Sequence, residues 1–163
     1  MREQKHITIR DAGKGDGAVV FRFIHELAVY EKLAHEVVAT EEMVEHALTR
    51  PNARVHAVIA EVDGKPVGMA LYFYNFSTFL GRHGIYIEDV YVDPAQRGGG
   101  IGKQLFQHLA AKAVTEGCGR VEWWVLDWNE PAIDFYERLG AKKMDEWTVY
   151  RLEGEALTKL AAS

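Results

Sequence analysis

The chain has 163 residues, 48% of them hydrophobic and 26% charged, with a formal net charge of −5. That length suits one domain with a real core, and that composition is ordinary for a soluble globular protein. The acidic balance argues against nucleic acid and for cationic partners, and no apolar run approaches the roughly 20 residues of a membrane helix. Met1 to His6 has no apolar core behind its charges, so no signal segment is expected. Cys118 is the single cysteine, which excludes an intrachain disulfide and agrees with a reducing, cytoplasmic setting.

In chain order, His6 to Arg10 alternates apolar Ile7 and Ile9 with polar neighbours, the pattern of a short strand. Gly13 to Gly17 reads as a turn with Asp16 as N-cap. The helix that follows carries Val19, Val20, Phe23, Ile24, Leu27 and Ala28 on one face and ends near Tyr30-Glu31-Lys32. Thr40 caps a second helix through about Leu48, with Glu41 and Glu42 at its positive end. Arg54 to Val62 is a strand, Asp63-Gly64 a hairpin turn, and Val67 to Phe76 the returning strand. Ser77 to Gly84 reads as a loop before a strand from Tyr86 to Val92, which makes the centre an antiparallel meander. Arg120 to Leu126 is a further strand. Pro131 begins a helix with Gly140 at its C′ position, Trp147 to Leu152 is a last strand, and Leu157 to Ala161 a terminal turn or helix. With no repeat, low-complexity tract or linker, the expectation is one mixed α+β domain over residues 1–163.

The chain is organised around Tyr86 to Lys103. Asp93-Pro94 stops the strand, and Arg97 to Gly102 is a glycine-rich turn opening a helix with Ile101, Leu105, Leu109 and Ala113 along one face. Bare N–H groups crowd at such a helix N-terminus, where the dipole favours negative charge, so the turn is suited to a diphosphate. A Walker loop is excluded, because Arg97 stands where its first glycine belongs and Gln104 follows Lys103. The dinucleotide fingerprint is excluded as well, since Lys103 occupies the place of its third glycine. A plain tight strand-to-helix turn is the competing reading of these glycines.

What remains, Arg97-x-x-Gly100-x-Gly102 after an Asp-Pro, resembles the pyrophosphate loop of the GCN5-related N-acetyltransferases (GNAT). Asn129 followed seven residues later by Tyr136, then Leu139-Gly140-Ala141, is similar to that family's other signature. Joined to Tyr86-Ile-Glu-Asp, the pattern resembles the diamine (spermidine/spermine) N1-acetyltransferase subfamily and its thialysine-acetylating relatives. The similarity runs from Glu26-Leu-Ala-x-Tyr-Glu31 to the tail. It implies a mixed central sheet flanked by helices, an antiparallel N-terminal meander, and parallel strands that splay at an acetyl-CoA site. The implied cosubstrate is acetyl-CoA, held by Val90, Tyr91, Val92, Arg97, Gly98, Gly99, Gly100, Ile101, Gly102, Lys103, Asn129 and Tyr136. The implied acceptor is a small-molecule amine, met by Tyr30, Glu31, Glu88, Glu122 and Trp147. A homodimer is implied; no nucleic-acid or membrane partner is.

The chemistry needs these residue types. An alkyl amine with a pKa of about 10.4 must lose a proton to attack, at a cost of about 4–5 kcal/mol at pH 7. A carboxylate can take that proton directly or through water. Glu88 is the candidate, as base or as an orienting charge; Glu88 and Asp89 are expected on opposite strand faces, with one in the cleft. Unpaired N–H groups around Val90 to Val92 can meet the carbonyl oxygen as it gains charge. The Tyr136 phenol, protonated at pH 7, can donate to the departing thiolate. Ser77 and Phe79 stand where the diamine enzymes carry an acid and a tryptophan, which disfavours long polyamines and leaves small diamines and lysine-like acceptors. An amino-acid acceptor wants a cation for its carboxylate, and Lys32 and Arg82 are the nearby candidates. The histidines form no ligand cluster, so no metal is expected. Two other readings stay open: another acceptor on the same fold, and a non-catalytic coenzyme A sensor.

Overall fold

The computed structural model describes residues 5–163; the start of the N-terminus, read above as lacking a signal segment, lies outside the described residues. The chain divides into two compact units, Met1–Leu126 and Asp127–Ser163. The first contains β1 (Ile7–Asp11), α1 (Gly17–Tyr30), α2 (Glu41–Thr49), β2 (His56–Val62), β3 (Lys65–Ser77), β4 (Arg82–Val92), α3 (Ile101–Thr115) and β5 (Val121–Trp123). The second contains α4 (Glu130–Arg138) and α5 (Gly154–Ala161).

The five strands form one sheet in the order β1-β2-β3-β4-β5. The first four pair antiparallel and β5 joins β4 in parallel. Asp63 and Gly64 both take positive φ, 51° and 78°, as the tight turn between right-twisted strands demands. The loop expected over Ser77 to Gly84 is shorter, because β3 and β4 stay paired out to Ser77 and Arg82. The strand expected over Arg120 to Leu126 is Val121–Trp123 only.

Alternate residues serve opposite faces of the sheet. On one, Ala57, Ile59, Met69, Leu71 and Tyr91 pack with Val20 and Phe23 of α1. On the other, Val58, Ala60, Ala70, Ile85 and Ile87 are buried. The stripe Ile101, Leu105, Leu109 and Ala113 of α3 is buried throughout, as its spacing requires. Asp16 occupies the N-cap position of α1 but makes no cap bond. Its carboxylate instead accepts from the Gly13 N–H and the Arg10 guanidinium, at 2.7 and 2.8 Å. The α1 terminus is held by Glu45 of α2, which accepts from the N–H groups of Gly15 and Gly17 at 2.7 and 2.6 Å. A Cβ at residue 17 would meet the Glu45 side chain, so a glycine is required there.

In the second unit, Asn129 is buried and its Oδ1 accepts from the Ala132 N–H at 3.4 Å, capping α4. Gly140, at φ 91°, ends that helix. The strand expected over Trp147 to Leu152 is not formed: the Trp147 N–H donates to Met144 O in a turn, and Trp147, Val149 and Tyr150 are exposed. Alternating apolar residues favour a strand only where a neighbouring ladder is present, and no pairing of this segment occurs among the described residues.

Replacing Glu45 by alanine leaves the N–H of Gly17, the first residue of α1, and that of Gly15 in the turn before it without their acceptor. A loss of about 1–2 kcal/mol is expected in urea unfolding. An unchanged midpoint would show that the Glu45 bridge does not fasten α1.

Candidate active site

The site is built on an irregularity of β4. Leu71 of β3 faces Asp89, and Tyr72 faces Ile87, so Glu88 is an extra residue without a partner. Phe73 faces Tyr86. Leu71 and Phe73 are two residues apart and share a face, so Tyr86 and Asp89, three apart, share it too. The bulge at Glu88 absorbs one step of the alternation, which is why Asp89 lies on the Tyr86 face. Glu88 is exposed, and its charge acts on both Asp89 and Tyr86.

Electrostatics mark Asp89. Burial, then the charges of Glu88 and Glu31, push its carboxyl up to about 6. Glu31, at the C-cap of α1, is itself raised by burial. Burial, then Glu88 and Glu122, raise the Tyr86 phenol above its ordinary range. Glu122 of β5 is the register partner of Tyr86. The Tyr86 ring stacks against Phe73 at 4.9 Å and meets Trp124 edge-on at 5.8 Å. Glu31, Glu88, Asp89 and Glu122 are thus linked through Asp89 and Tyr86 into one acidic, aromatic-lined face. Like charges held together in partly desolvated surroundings favour a bound cation.

Glu122 is held in place. Its Oε1 forms an ion pair with Arg120 Nε at 2.9 Å and accepts from Asn75 Nδ2 at 3.3 Å. A Cβ at Gly84 would come within 2.5 Å of Asn75 Oδ1, so the glycine leaves room for that amide.

β4 and β5 pair only at Ile85, Tyr86 and Ile87. Val90 to Val92 therefore pair with β3 on one side, and their other edge has no β5 partner, as the expected splay requires. Past Val92, Asp93 Oδ1 accepts from the Ala95 N–H at 2.8 Å and starts a short turn over Pro94–Gln96. Gly98 and Gly100 follow at φ 81° and 80°, in open space, with Gly100 as the N-cap of α3. Ile101 and Leu105 are buried and anchor the helix. The first-turn N–H groups of Ile101, Gly102 and Lys103 have no intrahelical acceptor. Gly99 and Gly100 are exposed, so a phosphate can approach the backbone closely. The Arg97 guanidinium lies 5.2 Å from the centre of the Tyr30 ring, so the end of α1 meets the glycine turn.

The structure thus brings Tyr30 to Arg97, Glu31 and Glu88 to Asp89, and Glu88 and Glu122 to Tyr86. Asn129, Tyr136 and Trp147 lie in the second unit, where Tyr136 is part-buried on α4 beside Phe135, 5.8 Å between ring centres. Asp89, Tyr86 and Trp124, which the structure gathers with these residues, were not among the residues expected to form the site. The Glu88-Asp89 doublet was visible, but not the bulge that turns Asp89 onto this face.

A family model, the acetyltransferase (GNAT) family, matches residues 22–141. The chain belongs to the GNAT acetyltransferase family. It is 40% identical over 166 residues to a thialysine N-epsilon-acetyltransferase of Sus scrofa, covering 95% of this chain and 97% of that one. It is 33% identical to an L-ornithine N5-acetyltransferase of Arabidopsis thaliana, covering 91% and 85%. Among solved structures, an integron cassette protein from the mobile metagenome of V. cholerae superposes with a TM-score of 0.81 at 32% identity, covering 96% and 98%. GNAT enzymes take their acetyl group from acetyl-CoA, and the open glycine turn ahead of α3 fits its diphosphate. This chain is accordingly an N-acetyltransferase with acetyl-CoA as cosubstrate.

Asp89 gives a stability signature. Its folded-state pKa of about 6 lies above the unfolded value of ~3.9. The unfolded chain therefore releases this proton first, and stability falls as pH rises from about 4 through about 6. Asp89→Asn removes that penalty. A shift of about two units corresponds to a gain of up to about 3 kcal/mol at pH 7.5, closing towards pH 4. Urea melts at the two pH values check this, and a pH-independent difference would contradict it.

Proposed function

We propose that this GNAT enzyme moves the acetyl group of acetyl-CoA to the primary amine of a small cationic acceptor, a short diamine or a lysine-like amino acid, in a ternary complex. The observation that carries the acceptor class is the face of Glu31, Glu88, Asp89 and Glu122 around Tyr86, Phe73 and Trp124. The thialysine and ornithine activities of the relatives point the same way. The family match crosses both compact units, which supports reading residues 1–163 as one acetyltransferase domain.

Roles follow from chemistry. Acetyl-CoA supplies an activated acyl group and a thiolate leaving group. Arg97, Gly98 to Gly102 and Lys103 receive the diphosphate, with Val90 to Val92 and Asn129 along the remainder. Glu31 and Asp89 hold the acceptor as an ammonium, with Tyr30 as an aromatic wall. Glu88 or Asp89 takes its proton; a carboxylate poised at about 6 is better matched to that task at neutral pH than one near 4. The free N–H edge of Val90 to Val92 donates to the oxygen as charge develops on it. The Tyr136 phenol gives its proton to the departing sulfur. A homodimer and a cytoplasmic location belong to the same proposal, and sedimentation of the purified chain tests the first.

A thiol-release assay with thialysine, lysine, putrescine and spermidine tests the acceptor. The short amines are expected to turn over and spermidine to be poor; release with none of them would remove the acceptor assignment. Tyr136→Phe is expected to lower kcat at least about tenfold, as loss of a general acid does, while coenzyme A still binds. Unchanged kcat would remove Tyr136 from the reaction. Gly100→Asp forces a strained φ and a negative charge into the turn, and at least about tenfold weaker coenzyme A binding is expected. Unaltered affinity would place the diphosphate elsewhere.

A further inference from the structure

Resting on the acceptor reading above, we propose that the Arg120–Glu122 pair is a clamp for the zwitterionic head of an α-amino-acid acceptor. Arg120 takes the α-carboxylate and Glu122 the α-ammonium, which makes Arg120 a specificity-determining residue.

The geometry begins at Gly84. The Arg120 side chain lies over it, with Cγ 3.5 Å from where a Cβ would stand, on the same face as the Asn75 amide. That is the face of Phe73 and Tyr86, because Asn75 and Phe73 are two residues apart on β3 and face Gly84 and Tyr86. The backbone at Arg120 is fixed by the Ile85 N–H, which donates to Arg120 O at 3.1 Å. Arg120 Nε and Glu122 Oε1 form an ion pair at 2.9 Å, so the guanidinium is drawn along β5 towards the Tyr86 row. Asn75 Nδ2 donates to that same oxygen. Among the described residues, the terminal nitrogens of Arg120 and Oε2 of Glu122 have no hydrogen-bond partner. The pair is about half exposed, with side-chain accessibilities of 46% and 37%, so a ligand can reach it. A fixed fork of donors beside a free carboxylate oxygen matches a carboxylate and an ammonium on one carbon.

The spacing fits one acceptor length. From the Tyr86 row to the Asp89 row is two residues on β3, Phe73 to Leu71, or about 7 Å. An extended lysine-like chain spans six bonds from carboxylate carbon to terminal amine, also about 7 Å. A head at Arg120–Glu122 therefore places the terminal amine at Glu88 and Asp89. Of the cations suggested by sequence, Arg82 faces Ser77, six residues from Leu71, about 20 Å from Asp89 and beyond that reach. A diamine has no carboxylate to offer and brings a second ammonium against the guanidinium.

The test compares L-lysine with cadaverine, which is lysine without its carboxylate, in the wild type, Arg120→Gln and Arg120→Lys. Arg120→Gln is expected to raise KM for L-lysine at least about tenfold, with kcat within about threefold. KM for cadaverine should stay level or fall, and KM for acetyl-CoA should be unchanged, which also reports that the variant is folded. Arg120→Lys, keeping the charge, should recover part of the lysine KM. Equal effects on both amines, or none on either, would overturn the clamp while leaving amine acetylation intact. Thiol release with neither amine in the wild type would overturn the acceptor reading itself and the clamp with it.

Discussion

One residue too many in β4 decides the rest. Ile87 and Tyr91 are four positions apart, and in a regular strand they would share a face. Both are buried, Ile87 opposite Tyr72 and Tyr91 within the α1 cluster on the other side. Burying a large apolar side chain is worth about 1.5–3 kcal/mol, so the chain keeps both in the core and extrudes Glu88 between them. The bulge is thus enforced from both sides of the sheet. Its by-product is chemical: Asp89 stays on the Tyr86 face, and Glu88 stands next to it.

That by-product explains the electrostatics. A carboxylate pair in partly desolvated surroundings cannot ionise freely, and the cost falls on the more buried member, Asp89. Glu31 adds to it from α1 and Glu122 completes the acidic face from β5. A cationic acceptor bound there, as proposed above, would relieve the mutual repulsion and find a carboxyl near neutrality for its proton. Below Ile87, β4 and β5 part, and the same strand leads through Asp93 into the glycine turn at the head of α3. The acidic face, the strand edge without a β5 partner and the glycine turn are consecutive along one stretch of chain.

Much of this was legible in the residues. The Asp63-Gly64 turn, the Thr40 cap on the Met43 N–H and the buried stripe of α3 all follow from local chemistry, and all are present. Glu31, Glu88 and Glu122, expected to meet the amine, all act electrostatically on Asp89 or Tyr86. What was not legible depends on contacts between elements. Asp16 is the better N-cap by type, but Arg10 and Gly13 claim its carboxylate and Glu45 replaces it. The 147–152 segment alternates like a strand yet has no ladder. Ile85, Ile87 and Tyr91 keep one parity in the sequence, so the bulge leaves no mark in the apolar pattern and is read only once the face that each residue occupies is known.

The most direct measurement is therefore on a chain from which Glu88 alone is deleted. Deletion pairs β3 and β4 without a shift and leaves Ile87, Asp89 and Tyr91 on their present faces, so the core and a cooperative melt should survive. What disappears is the bulge and the carboxylate beside Asp89. The account predicts a folded chain whose amine acetylation falls at least about a hundredfold, nearly 3 kcal/mol of transition-state stabilisation. A folded deletion variant that acetylates its amine at the parental rate would contradict it.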